Sequence, residues 1–164
     1  GGFKYPGTNS HTLQAAAELA QIAPDFPEAI GQIENTLTPK ELTFIGLALS
    51  NIETFYDGRL AIATVSEPTL RQAQIEEAEV RNSFIANLLR SVRRWTVGIC
   101  MTEERPNFVS VSFRSQDGKK YDVSKIAVAV GGGGHKAAAG AIIKKPLVEA
   151  KADMVKAAEI VFNQ

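Results

Sequence analysis

Four consecutive glycines, Gly131 to Gly134, constrain the fold of this chain more than any other part of its sequence. Before them, an apolar stripe at helical spacing predicts a short helix that begins at Asp122 or Ser124. After them, the apolar segment AGAII predicts a strand. Glycine adopts backbone angles that other residues avoid, and it leaves its amides uncovered. A glycine run at the end of a helix can therefore point several N–H groups into one hollow that binds phosphate or carboxylate oxygens.

Two simpler interpretations of the glycine run are available. A flexible linker is usually interleaved with serine and lies between domains, whereas this run lies between a helix and a strand. A helix stop needs only one glycine. We therefore expect an anion-binding loop, and His135, directly after it, can donate a hydrogen bond to the same anion, more strongly when it is protonated.

The segment FVSVSFRS, residues 108–115, alternates apolar and polar side chains and predicts a strand with two unlike faces. Its polar face carries Ser110, Ser112 and Arg114. An arginine fork can hold a phosphate with two parallel hydrogen bonds. A solvated surface arginine is the more common case, but the short distance in sequence from Arg114 to the glycine run favours the phosphate role.

The remaining patterns predict an α/β fold, a two-layer mixed β-sheet with helices. The capping box TPKE begins a helix at Thr38, and the Asp-Gly turn in TFYDGRLAIATVS predicts a hairpin. The segment WTVGICM predicts a strand with Trp95 and Val97 on one face, and Pro146 opens a final helix. A longer helix is expected from Glu77 to Val92, and we expect its buried stripe to be Ile85, Leu88, Leu89 and Val92.

Composition excludes several classes of protein. The 164 residues include 18 basic and 18 acidic side chains, so the chain lacks the basic surplus usual in proteins that bind long duplexes. This balance favours a small or short anionic ligand. The lone Cys100 excludes a disulfide framework within the chain and a cysteine-rich metal site. No apolar run is long enough to cross a bilayer, so we expect a cytoplasmic protein with no membrane partner.

The segment VSFRSQDGKKYDVSKIAVAVGGGGHKAAAG, residues 111–140, closely resembles the signature of the DHH-associated domain, the C-terminal half of DHH-family phosphoesterases. The family pattern is a strand ending in Ser-x-Arg-Ser, a turn, Asp-Val-Ser, a short helix, GGGGH, and small residues ending in glycine. The segment IANLLRSV is similar to another family segment and places Asn87 and Arg90 on matching positions, with Phe84 where the family usually has glycine. The opening GGFKYPGT resembles the family segment just after the last metal-binding aspartate of the catalytic half.

This resemblance implies roles for particular residues. It implies that Arg114 grips the non-reacting phosphate of the substrate and that His135 donates to the substrate. It adds Ser112, Arg90 and Asn87 to the substrate-binding set. The backbone amides implied to cradle the phosphate are those of Gly131, Gly132, Gly133 and Gly134.

The resemblance also implies a division of the protein. Residues 1–36 would be the tail of the catalytic domain and the interdomain linker, and residues 37–164 the substrate-binding domain. The catalytic half would hold two manganese ions (Mn2+) through Asp and His ligands that precede Gly1, and these ions would activate a water for attack on a phosphoester. The full protein is then a hydrolase, whereas this chain binds substrate, holds no metal and does not cut.

The size of this chain and the spacing of its motifs most resemble those of the small family members. These hydrolyse short oligonucleotides, the nucleotide pAp, or linear and cyclic dinucleotides to mononucleotides. The expected partners are a nucleotide or short single-stranded oligonucleotide and the catalytic domain of the same protein, and a homodimer is left open. Alternatives are a polyphosphate- or single-stranded-DNA-directed relative, a non-catalytic nucleic-acid-binding module like that of alanyl-tRNA synthetases, and a free-standing nucleotide sensor.

Overall fold

The computed structural model describes residue 3 and residues 7–23, 25–34 and 36–163. The chain divides into two compact units, Gly1–Leu37 and Thr38–Gln164. The first unit contains α1 (Ser10–Ile22), capped by Asn9, and α2 (Phe26–Glu34), and neither helix buries a side chain. Most of the opening GGFKYPGT, on which part of the family resemblance rests, lies outside the described residues. The assignment of residues 1–36 to a catalytic-domain tail and linker stays a prediction.

The second unit is built on one mixed sheet of six strands. The spatial order is β1-β2-β3-β4-β6-β5, in which β2 and β3 run parallel and every other neighbouring pair is antiparallel. The predicted α/β class with a mixed sheet is confirmed. The strands are β1 (Ile52–Phe55), β2 (Leu60–Val65), β3 (Val97–Arg105), β4 (Phe108–Ser115), β5 (Gly133–His135) and β6 (Ala138–Ile143).

Helices pack on both faces of the sheet. One face packs on α6 and α7, and the other, over β2 and β3, packs on α3 and α5. The second face is open over β6 and β5, where Ile142 is 54% exposed, and α5 also contacts β4 beside this opening. The helices of this unit are α3 (Pro39–Leu49), α4 (Glu67–Ala73), α5 (Asn82–Leu89), α6 (Val123–Ala129) and α7 (Leu147–Phe162).

Two local predictions about the helix starts are confirmed. The Thr38 hydroxyl accepts from the Glu41 amide at 3.2 Å, and the Glu41 carboxylate accepts from the Thr38 amide at 2.8 Å. These two bonds form the expected capping box of α3. Asp122 caps α6 through a 3.1 Å bond from the Ser124 amide.

The helix expected from Glu77 to Val92 is wrong in length. A short 3-10 turn covers Glu77–Glu79, the backbone is extended at Val80, and α5 begins only at Asn82. The Arg81 guanidinium pairs with the buried Glu41 carboxylate of α3, and this tertiary contact accompanies non-helical backbone angles at Arg81.

The expected buried stripe of that helix is also partly wrong. Leu88 is 38% exposed and Val92 40% exposed. Trp95, expected on the face of Val97, packs instead against the opposite core cluster. The residues of α5 that face the sheet are Asn82, Ile85, Ala86 and Leu89.

Candidate anion-binding site

The open face of the sheet carries four of the predicted site residues in two cross-strand rows. Ser112 lies opposite Gly140, which lies opposite Gly133. In the next row, Arg114 lies opposite Ala138 and Ala138 opposite His135. Residues opposite each other in register project from the same face of a sheet. Two strand spacings, about 9.5 Å, therefore separate the backbones of Arg114 and His135, with only small residues between them.

The glycine run does not form one nest of four amides after the helix, as the sequence suggested. Gly131 takes a left-handed φ of 84° at the end of α6, and the Gly132 amide donates to Ala127 O at 2.7 Å. Gly133 and Gly134 instead belong to β5, which ends at His135. Gly131 and Gly132 thus belong to the end of α6, and Gly133 and Gly134 belong to an edge strand.

Close backbone packing accounts for two of the glycines. A Cβ on Gly132 would lie 2.2 Å from Gly140 O, and a Cβ on Gly134 would lie 2.6 Å from Ala139 Cα. A Cβ on Gly133 would meet nothing within 4 Å. Gly133 thus leaves space on the open face that no protein atom occupies.

An open cavity of about 500 Å³ lies on this face. Ser112, Gly131 and Gly132 are the predicted residues that line it. Arg114 and His135 lie beside it in the next row, and the Arg114 guanidinium donates to its neighbour's carbonyl, Phe113 O, at 2.9 Å. The full lining is Asn82, Ser110, Val111, Ser112, Gly131, Gly132, Gly140, Ala141 and Ile142.

Asn82 was missed by sequence reasoning, because the expected helix had no start there. Its amide nitrogen donates to Ser110 Oγ at 2.7 Å, and its amide oxygen accepts from Thr102 Oγ1 and Cys100 Sγ. The side chain is buried with these partners, so it holds α5 against β4 beside the cavity. The available signal was a polar residue at helical spacing from Ile85 on an otherwise apolar face.

Asn87 and Arg90 form a pair at the far end of α5. Arg90 donates through Nε to Asn87 Oδ1 at 3.0 Å and through Nη1 to Ser115 O at 2.9 Å. The lack of a side chain at Gly98 lets the end of α5 lie close to β3, since a Cβ there would lie 2.9 Å from the Arg90 amide. Gly98 is the register partner of Arg114. Both arginines therefore lie at the same end of the open face, and Asn87 holds Arg90 in place.

Comparison with known proteins agrees with the signature and the fold. The DHHA1 domain profile matches residues 58–164, which include every strand except β1 and every site residue named above. This chain belongs to the DHHA1 domain family. A DHHA1 domain is an accessory domain of DHH-family phosphoesterases, so the resemblance seen in residues 111–140 is confirmed.

Named relatives of this DHHA1 domain include enzymes and solved structures. The bifunctional oligoribonuclease and PAP phosphatase NrnA of Thermus thermophilus is 29% identical over 144 residues, 88% of this chain and 41% of the relative. An exopolyphosphatase-related protein from Bacteroides fragilis superposes with a TM-score of 0.86 at 21% identity, covering 99% of this chain and 46% of that one. The pGpG-specific phosphodiesterase PggH from Vibrio cholerae superposes with a TM-score of 0.51 at 16% identity, covering 88% of this chain and 46% of that one. This chain thus spans less than half the length of each of these three proteins. The likeness to the two solved structures shows the fold alone.

Histidine, cysteine and acidic side chains are scattered over the described part of this DHHA1 domain chain. Within it, no three His, Cys, Asp or Glu side chains come together as metal ligands. The two manganese ions implied by the resemblance therefore find no fitting ligand set among these residues, and we assign no step to a metal on this chain. Burial raises the pKa of the Cys100 thiol to about 12, so this cysteine is packing rather than a nucleophile.

A second cavity, of about 570 Å³, lies between α6, β6 and α7. Its basic side chains Lys145 and Lys156 are accompanied by Asp153 and Glu159. Lys145 and Asp153 form an ion pair, and the hydrogen bond to this carboxylate raises the lysine's pKa. The basic side chains of this second cavity are therefore matched by acidic ones. Separately, we find no helix in the described ranges whose length and apolar character would let it span a bilayer.

Proposed function

We propose that this chain is the substrate-binding half of a manganese-dependent DHH-family phosphoesterase that hydrolyses short oligonucleotides, pAp or dinucleotides to mononucleotides. The observation that carries the proposal is the pair of cross-strand rows on the open face. One row offers glycine backbone and the Ser112 hydroxyl. The other offers the Arg114 guanidinium and the His135 imidazole across an alanine, so a phosphate can lie on the sheet without meeting a large side chain.

Binding and orientation are the work of this chain's own residues in the proposal. Arg114 holds a non-reacting phosphate by charge-assisted hydrogen bonds. Exposed His135 donates from the other side, and Ser112 donates from the adjacent row. Arg90, oriented by Asn87, adds positive charge at the same end. A phosphate fixed in this way positions the scissile bond for a catalytic centre supplied by another part of the protein.

The relatives support this substrate class. The Thermus relative is named for oligoribonuclease and PAP phosphatase activity. We extend those activities to the protein from which this chain comes as a proposal. The manganese ions, which would supply an activated water, are likewise proposed to be bound outside this chain.

Isothermal titration of the chain with pAp tests the proposal. We expect binding that needs no manganese, and an affinity about 10- to 100-fold weaker in Arg114→Ala, the usual loss for a hydrogen bond to a charged group. Arg105→Ala, at the opposite end of the sheet, is the matched control and should bind as the unchanged chain does. Equal affinities of Arg114→Ala and the unchanged chain would contradict the proposed phosphate site.

A further inference from the structure

Three loops meet at one end of the sheet and form a continuous surface. They are residues 90–96, residues 116–120 and residues 136–137, which we call the loop surface. The Gln116 amide donates to Thr96 O at 2.9 Å, and its side-chain amide donates to Arg90 O. A Cβ on Gly118 would lie 2.9 Å from the Ala137 amide, so the second and third loops also touch.

The loop surface concentrates positive charge in a chain whose formal net charge is zero. It carries six basic side chains and one carboxylate, that of Asp117. Asp117 Oδ1 accepts from the Lys119 amide at 2.9 Å, within its own loop. No basic group of the surface has an ion-pair partner within 4.0 Å among the described residues. The basic residues are Arg90, Arg93, Arg94, Lys119, Lys120 and Lys136.

The loop surface continues directly from the candidate anion site. Gln116 follows Arg114 by two residues at the end of β4, and Lys136 follows His135 at the end of β5. The row that contains Arg114 and His135 is therefore the last row of the open face before the loops. An anionic chain that lay on this row would meet the basic loops next.

Side-chain chemistry on the loop surface favours a nucleic acid over a simple polyanion. Five of the six basic side chains are exposed, and Arg93 and Arg94 can stack their planar heads on bases. Val92 is 40% exposed and Trp95 is half-buried in the same loop. Positive charge interleaved with surfaces on which bases stack is typical of single-strand binding sites.

We propose that the loop surface binds the phosphates of a single-stranded oligonucleotide that extends beyond the nucleotide held on the open face. This inference rests on the proposed function and adds to it a second binding region. It makes affinity depend on oligonucleotide length. Since each neutralised phosphate of a single strand contributes about −0.7 to the slope of log K against log salt concentration, binding of longer oligonucleotides must also become more salt-dependent.

The test compares pAp with a 5′-phosphorylated hexa-adenylate, titrated into the full chain at several sodium chloride concentrations. We expect the hexa-adenylate to bind at least about tenfold more tightly at low salt, with a slope steeper by about 2. Equal affinity and equal slope for the two ligands would overturn the proposal. Inorganic polyphosphate of the same phosphate number is a third ligand, and binding as tight as that of the hexa-adenylate would overturn the choice of a nucleic acid.

Substitutions in the three loops test whether the length dependence of binding arises at the loop surface. Arg93→Gln, Lys119→Gln and Lys136→Gln, combined in one chain, remove one charge from each loop. We expect this variant to lose most of the length dependence and about 2 of the salt slope, while its affinity for pAp falls less than about threefold. The control combines Arg105→Gln, Lys144→Gln and Lys156→Gln, which remove the same charges from elsewhere on the domain. An equal loss in the control would show non-specific attraction and overturn the proposal.

Failure of the proposed function gives a different pattern. If pAp does not bind but the hexa-adenylate binds with a slope that the loop variant loses, the loop surface stands and the nucleotide site on the open face is wrong. If pAp binds through Arg114 but length has no effect, the open face stands and the loop surface is wrong.

Discussion

The four glycines of the GGGGH segment have three different structural roles. Gly131 supplies a left-handed backbone at the end of α6, whereas Gly132 and Gly134 let the chain approach β6 closely. Gly133 has open space where a side chain would be and a φ outside the left-handed region, whereas Gly131 has the open space but a left-handed φ of 84°. Only Gly133 can therefore report on ligand binding without disturbing the fold.

Gly133→Val is expected to separate binding from folding. Its side chain would project from the row that contains Ser112 and block the proposed phosphate position, so we expect an affinity for pAp at least about tenfold lower. The free energy of unfolding should change by less than about 0.5 kcal/mol, because the new side chain would meet no neighbouring atom. Calorimetric titration and urea denaturation measure the two quantities.

Gly132→Val is the comparison for that experiment, because its Cβ would collide with the Gly140 carbonyl. It should lower the free energy of unfolding by more than about 1 kcal/mol. A stable Gly133→Val chain that binds pAp normally would count against the open face as the phosphate position.

At the scale of elements, local sequence patterns were sufficient to predict those strands and helix starts that depend on local chemistry. The alternation in residues 108–115 predicted β4 and its two faces, and the capping box predicted the start of α3, because these signals lie within a few residues. The beginning of α5 was not predictable in this way. It coincides with a contact between Arg81 and Glu41, which are 40 positions apart in the sequence.

The sequence predicted which residues to consider for the candidate site, apart from Asn82, but it did not predict how they are arranged. The signature located Arg114 and His135, but their alignment across Ala138 depends on the register of β4, β6 and β5. The strand β5 is only three residues long and begins inside the glycine run, where strand propensity is lowest. No local signal therefore predicted the row.

Arg81→Ala tests the tertiary contact that precedes α5. Glu41 has a side chain only 6% exposed, so loss of its partner leaves a buried carboxylate. We expect the free energy of unfolding to fall by about 1–3 kcal/mol. The control is Arg71→Ala, which breaks an exposed pair with Glu67 and should cost less than about 0.5 kcal/mol. Similar losses in the two variants, measured by urea denaturation, would contradict this account of α5.

At the scale of the whole molecule, charge distribution matters more than total charge. The neutral total favoured a short ligand, yet the loop surface beside the open face is strongly basic. The second cavity, by contrast, carries both signs of charge. An anionic ligand should therefore distinguish the two sides of the domain.

The most direct test of the central claim is an NMR titration of the isotopically labelled chain with pAp, following every backbone amide. The account predicts the largest shifts at Gly131 to His135, at Ser112 and at Gly140, with no manganese needed. Shifts concentrated instead at Lys145 and Lys156, around the second cavity, would contradict the claim that the open face of the sheet binds the substrate phosphate.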